Sequence, residues 1–181
     1  MKCPKCKTTD LRATRIESDL PAAGCATCHG ALVSLLYYRD WSERHQNDPT
    51  DVATAPTTAA EVRDTSTALN CPKCTRLMTK YKISGCAANR LDLCPGCDEA
   101  WLDSGEWELL SALELSRKMP LVFTEQWQRT IRRQVAEEAR RGILRKKIGD
   151  AAVDRVEEFK MWVDENPRKR DILVYLYAEY V

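Results

Sequence analysis

The chain has 181 residues, with Lys plus Arg at 28, Asp plus Glu at 27 and a net charge of +1. That balance argues against a dedicated nucleic-acid domain, which is usually basic overall. The opening Met1-Lys2-Cys3-Pro4 has no apolar leader, and no run reaches the roughly 18 apolar residues of a membrane span, so a cytoplasmic protein with no membrane partner is expected.

In chain order, the first element is a four-cysteine unit over 1–45. Cys3-Pro4-Lys5-Cys6 opens it and Cys25-Ala26-Thr27-Cys28 closes it. Leu11 to Ile16 and Pro21 to Gly24, between the pairs, read as a short β-hairpin. A C-x-x-C turn aims two sulfurs at one point, and two such turns complete a tetrahedral thiolate site with Zn–S bonds of roughly 2.3 Å. A reducing compartment favours metal over a disulfide framework. Iron–sulfur and redox chemistry are the alternatives, but a redox C-x-x-C sits in a βαβ context that this sequence lacks. Lys5 lies inside the turn, where a cation offsets the formal 2− charge of a four-thiolate zinc. His29 directly follows Cys28 and reads as a surface residue, not a fifth ligand. A helix from Ala31 to about Arg44 is predicted next, its apolar side made of Leu32, Leu35, Leu36 and Trp41.

From Gln46 the composition shifts to Ala, Thr, Asp and Pro without aromatic residues, and 46–69 reads as a flexible linker. The two halves are then free to move independently unless their helices dock.

The second unit, 70–119, repeats the first. Cys71-Pro72-Lys73-Cys74 and Cys94-Pro95-Gly96-Cys97 supply four more ligands. Pro presets the turn and Gly96 is a residue free to take positive φ. Leu77 to Ile83 and Arg90 to Leu93 form the hairpin, with turns at Ser84-Gly85 and Ala88-Asn89. Cys86, the odd cysteine, lies in this hairpin and reads as a small half-buried apolar residue. Asp103-Ser104-Gly105-Glu106 fits a capping box, in which Asp103 accepts from the first helical turn and Glu106 reaches back. The helix that follows uses Trp107, Leu109, Leu110, Leu113 and Leu115, runs to about Lys118 and is stopped by Pro120. Neither ribbon within these units, at roughly 35 residues, buries much core by itself, so metal supplies most of its stability.

The region 120–181 is predicted helical. Thr124 is an N-cap, and Trp127, Ile131, Val135, Ala139 and Ile143 form one stripe. Gly149 ends that helix. Asp150 starts the next, with Val153, Val156, Phe159 and Val163 inward, and Asn166-Pro167 breaks it. A last helix runs from about Arg168 to Tyr180 with Ile172, Leu173, Leu176 and Tyr180. These helices either bury one another or pair with a second copy of the chain. The stretch Glu125 to Lys147 has a net charge of +5, from eight basic and three acidic residues. Such a helix either meets phosphates or pairs with the acids Asp154, Glu157, Glu158 and Asp164.

The segment Cys94-Pro95-Gly96-Cys97-Asp98-Glu99-Ala100-Trp101-Leu102-Asp103-Ser104-Gly105-Glu106 closely resembles the zinc-ribbon family named after transcription factor IIB, in its small prokaryotic form. Cys71, Cys74, Cys94 and Cys97 match its ligands, and Trp101, Leu102, Asp103, Gly105 and Glu106 match its tail. Glu99 departs from the glycine usual there. The first unit resembles a degenerate copy that keeps Cys3, Cys6, Cys25, Cys28 and Gly30, with Leu32-Val33-Ser34 in place of Trp-Leu-Asp.

The expected fold is α+β: two small zinc-stabilised β ribbons plus an α-helical C-terminal region, with two Zn2+ per chain. The residues contain no catalytic constellation or phosphate loop, and a non-enzymatic adaptor follows as the first reading. It would contact a protein partner, or itself, through the C-terminal helices, and the family name implies a link to transcription. The alternatives are a nucleic-acid binder using helix 125–147 with Lys2, Lys5, Lys73 and Lys82, and a thiol-based redox or metal sensor using Cys86.

Overall fold

The computed structural model describes residues 1–17, 19–45 and 65–180, so the linker expected over 46–69 lies outside the described residues up to position 64. The elements are β1 (Arg12–Arg15), β2 (Pro21–Gly24), β3 (Ala31–Ser34), α1 (Leu35–Arg44), β4 (Thr79–Lys82), β5 (Arg90–Leu93), β6 (Glu99–Leu102), α2 (Glu106–Ala112), α3 (Met119–Val122), α4 (Glu125–Ile148), α5 (Asp150–Glu165) and α6 (Lys169–Tyr180). The architecture is α+β. All six strands join one antiparallel sheet in the order β1-β2-β3-β6-β5-β4.

The helix expected from Ala31 begins only at Leu35. Ala31–Ser34 is a strand instead, paired to β6 in the register Ala31↔Leu102, Leu32↔Trp101, Val33↔Ala100 and Ser34↔Glu99. The reason is burial on two faces. Val33 joins one apolar cluster and Leu32 the other, an alternation of period two that a helix does not produce. The peptide N–H of Leu35 still donates to the carbonyl of Asp98 at 2.9 Å, after which the chain coils into α1.

The two small units thus pool one core. On one face of the sheet Val33, Ala100, Leu102 and Leu91 pack with Leu35, Tyr38 and Trp41 of α1, Trp107 and Leu110 of α2 and Met119 and Val122 of α3. The helices of the two units dock through the Trp41–Trp107 edge contact, with ring centroids 5.7 Å apart. Tyr38 bridges to the turn beyond α2: its hydroxyl donates to the Ser116 carbonyl at 2.8 Å and accepts from the Met119 N–H at 2.9 Å. Burial raises its hydroxyl pKa to about 12.

The α2 helix stops at Ala112, short of the expected Lys118. Glu114 takes φ +56, the Leu115 N–H reaches the Leu110 carbonyl at 2.7 Å, and the Glu114 N–H reaches that of Ser111 at 3.0 Å. This is a Schellman stop, with its characteristic apolar contact made by Leu115 and Leu110 in the core. Pro120 does not end a helix; it lies in the first turn of α3, where a missing N–H costs nothing.

The described chain divides into two compact units, Met1–Arg132 and Arg133–Val181. In the first, Thr124 caps α4 by accepting the Trp127 N–H at 3.2 Å. Trp127 donates its indole N–H to the Ile83 carbonyl at 3.2 Å, and Gln128 bonds both backbone groups of Lys82. In the second, Gly149 at φ +84 separates α4 from α5, and Asn166-Pro167 separates α5 from α6. The expected mutual burial of these helices is slight. Val153 and Val163 are buried, but Ile143, Val156, Phe159, Trp162, Leu173, Val174 and Tyr177 are exposed. No helix among the described residues is long and apolar enough to cross a membrane.

Candidate metal centres

The eight paired cysteines converge in two groups, Cys3 with Cys6, Cys25 and Cys28, and Cys71 with Cys74, Cys94 and Cys97. Within each group all four sulfurs lie within 4.8 Å of one another. In the first, Cys3 and Cys28 are 3.6 Å apart and Cys6 and Cys25 are 3.9 Å apart. In the second the separations include 3.5 Å for Cys71–Cys97, 3.4 Å for Cys74–Cys94 and 3.7 Å for Cys74–Cys97. A tetrahedron with 2.3 Å metal–sulfur bonds has edges of about 3.8 Å, whereas a disulfide needs about 2.05 Å. The cysteines are free thiols at tetrahedral spacing.

Four knuckles of one geometry create this arrangement. In each, the residue after the second cysteine takes positive φ: Lys7 at 63°, His29 at 57°, Thr75 at 64° and Asp98 at 54°. Its N–H closes the turn onto the carbonyl of the first cysteine: Lys7 to Cys3 and Thr75 to Cys71 at 2.8 Å, His29 to Cys25 at 3.0 Å and Asp98 to Cys94 at 3.2 Å. The expectation that Gly96 supplies positive φ is therefore corrected, since Asp98 takes that role. A Cβ on Gly96 would instead meet the Arg76 guanidinium at 2.6 Å. Nothing in the sequence marks these left-handed positions, because none of them is glycine.

Burial pushes the Cys28 and Cys97 thiols well up. At Cys25 burial also raises the pKa, but hydrogen bonds from the Cys28 and Thr27 backbone and from neighbouring thiols outweigh it and bring it to about 6. Cys94, opposed in the same way by the Gly96 backbone and by Cys97 and Cys74, comes to about 7. Four thiols held this close cannot all ionise unaided. A soft divalent cation resolves that conflict, so the donor set fits a metal.

Both knuckle lysines engage carboxylates. Lys73 Nζ lies 2.8 Å from Glu99 Oε1, and Lys5 Nζ lies 3.0 Å from Asp103 Oδ1. Only half of the expected capping box forms. Glu106 Oε2 accepts the Asp103 N–H at 2.8 Å, but the α2 N-cap is Gly105 and receives no side-chain bond. The Asp103 carboxylate is occupied elsewhere, by Lys5, by the Trp101 indole N–H at 3.1 Å and by the Thr65 N–H at 2.8 Å. Although burial disfavours its charge, these three donors hold its carboxyl below the usual carboxylate range. Trp101 is fully buried with the cysteines. Cys86 stands apart from both groups and is exposed, not half-buried as expected.

On α4 the arginines meet acids. Arg129 and Arg132 both bond Glu125, Arg133 pairs with Glu137, Arg141 with Glu138 and Glu157, and Arg145 with Asp150 and Asp154. Arg140, Lys146 and Lys147 are exposed. The chain was compared with models of known families, with curated proteins and with solved structures, and none matches it.

Proposed function

We propose that this is a non-catalytic zinc protein built from two zinc ribbons of the transcription factor IIB type, acting as a protein-interaction adaptor. Cys3, Cys6, Cys25 and Cys28 would hold one Zn2+, and Cys71, Cys74, Cys94 and Cys97 the other. The observation that carries this reading is the pair of four-thiol groups at tetrahedral spacing. Four thiolates fill the coordination shell of zinc and leave no position for a water nucleophile, which makes the metal structural. Native mass spectrometry of the chain should find two zinc ions. A single ion, or iron with visible absorbance, would overturn the assignment.

The adaptor part rests on the C-terminal helices. Phe159, Trp162, Leu173, Val174 and Tyr177 are exposed on α5 and α6, a density of apolar and aromatic side chains that favours protein contact. The ion pairs along α4 weigh in the same direction, because arginines already paired with carboxylates are poorer phosphate contacts. The link to transcription is what the family resemblance implies. Sedimentation of the zinc-loaded chain tests the surface. Self-association should appear at micromolar concentration, and the double substitution Leu173→Glu with Tyr177→Glu should weaken it at least tenfold while far-ultraviolet circular dichroism stays unchanged. Association insensitive to both changes would remove α6 from the contact.

A further inference from the structure

Resting on the two-zinc reading, we propose that the two metal centres load as a coupled pair, because residues of the second unit complete the first. The β3 strand begins at Ala31, three residues after the last ligand of its unit, Cys28, and β6 begins at Glu99, two residues after Cys97. They pair so that Leu32 and Trp101, each four residues beyond that last ligand, lie directly opposite. The strand order β1-β2-β3-β6-β5-β4 therefore reads the same from either edge, and the sheet has an approximate two-fold at the Leu32–Trp101 pair. Both side chains join a single apolar cluster with Cys3, Cys25, Cys71 and Cys94. The two centres share one wall.

The halves are not equivalent, and the difference is informative. The Trp101 ring covers Gly30, where an added Cβ would lie 2.4 Å from Trp101 Cζ2. At the matching position of the other unit stands Glu99, diagonal to the smaller Leu32, and a side chain is accommodated there. A hydrogen-bonded bridge runs alongside. Asp103 Oδ1 accepts from Trp101 Nε1 at 3.1 Å and from Lys5 Nζ at 3.0 Å, and Lys5 lies between the ligands Cys3 and Cys6. Trp101, Asp103 and Lys5 are positioning residues, since none of them is a ligand. Metal bound at Cys94 and Cys97 orders the strand that follows them, and that strand supplies the cover of the first centre. The second ion then meets a chain already ordered, which is positive coupling, and by linkage it acts equally in both directions.

The test is a zinc titration of the reduced apo chain read by native mass spectrometry at equilibrium. Independent sites leave at least half of the chains carrying one ion when one zinc per chain is added; only positive coupling takes that species below half. The expected result for the native chain is mainly zero-ion and two-ion species, from a coupling of roughly tenfold or more. Lys5→Met and Trp101→Phe should each restore the one-ion species towards half while both sites still fill at excess zinc, and Lys5→Arg should preserve its depletion. A one-ion species at or above half in the native chain would overturn a coupling strong enough to outweigh the difference between the two centres, and would leave the zinc reading intact. Failure to take up two ions at excess zinc would instead overturn the zinc reading itself. Equal depletion in Lys5→Met and Trp101→Phe would remove these residues from the path.

Discussion

Replacing Cys94 by Ser should release zinc from the second centre and unfold both halves of the sheet, not only the half that carries the substitution. A structural zinc contributes on the order of 10–16 kcal/mol, comparable with the whole stability of a typical domain at about 5–15 kcal/mol. Cys94 is fully buried and its N–H donates to the Glu99 carbonyl at 2.8 Å, so loss of the knuckle also releases β6. The β6 strand lies between β3 and β5 and joins the two four-cysteine halves of the sheet. The sequence alone suggests a loss confined to the second ribbon; the shared sheet predicts that it spreads. Hydrogen exchange resolved by segment checks this. Protection should disappear from Arg12–Arg15 and Pro21–Gly24 together with Thr79–Lys82 and Arg90–Leu93. A first half that keeps both its protection and one zinc ion would refute it.

Trp41→Ala should lower the stability of the zinc-loaded chain by about 3–5 kcal/mol, the range for deleting a large buried aromatic side chain. Trp41 is 2% exposed. Its ring stands 5.9 Å from that of Tyr38, 5.7 Å from Trp107 and 5.2 Å, stacked, from His45. It helps dock α1 on α2, so the cavity would open between these two helices. Urea unfolding at constant zinc should show the midpoint falling, with the metal still bound at two ions per chain in native buffer. A change below about 1 kcal/mol would mean that α1 and α2 do not share the core described here.

Both changes act on a junction that was hard to read in the sequence. The cysteine groups were legible because a C-x-x-C turn is local: Cys3/Cys6, Cys25/Cys28, Cys71/Cys74 and Cys94/Cys97 are paired by spacing, and the structure brings the same eight together in two groups. The helices α4, α5 and α6 were legible for the same reason. Apolar periodicity, Thr124 as a cap, and the breaks at Gly149 and Asn166-Pro167 are all decided within a few residues. What tertiary structure alone decided lies at the contact between the halves. Ala31–Ser34 contains the short apolar run Leu32-Val33, which suits a helix or a strand, and β6, distant in sequence, made it a strand by offering a hydrogen-bonding edge and two faces to bury. Asp103 looked like a cap but was taken by Lys5, Trp101 and Thr65, because a buried carboxylate goes where the most donors converge. The end of α2 was set by Glu114 in a left-handed turn, at no glycine, because Leu115 gains more by entering the core than the turn costs. Local spacing determined the cysteine pairs and the helices. Long-range burial determined that the two four-cysteine units became one sheet.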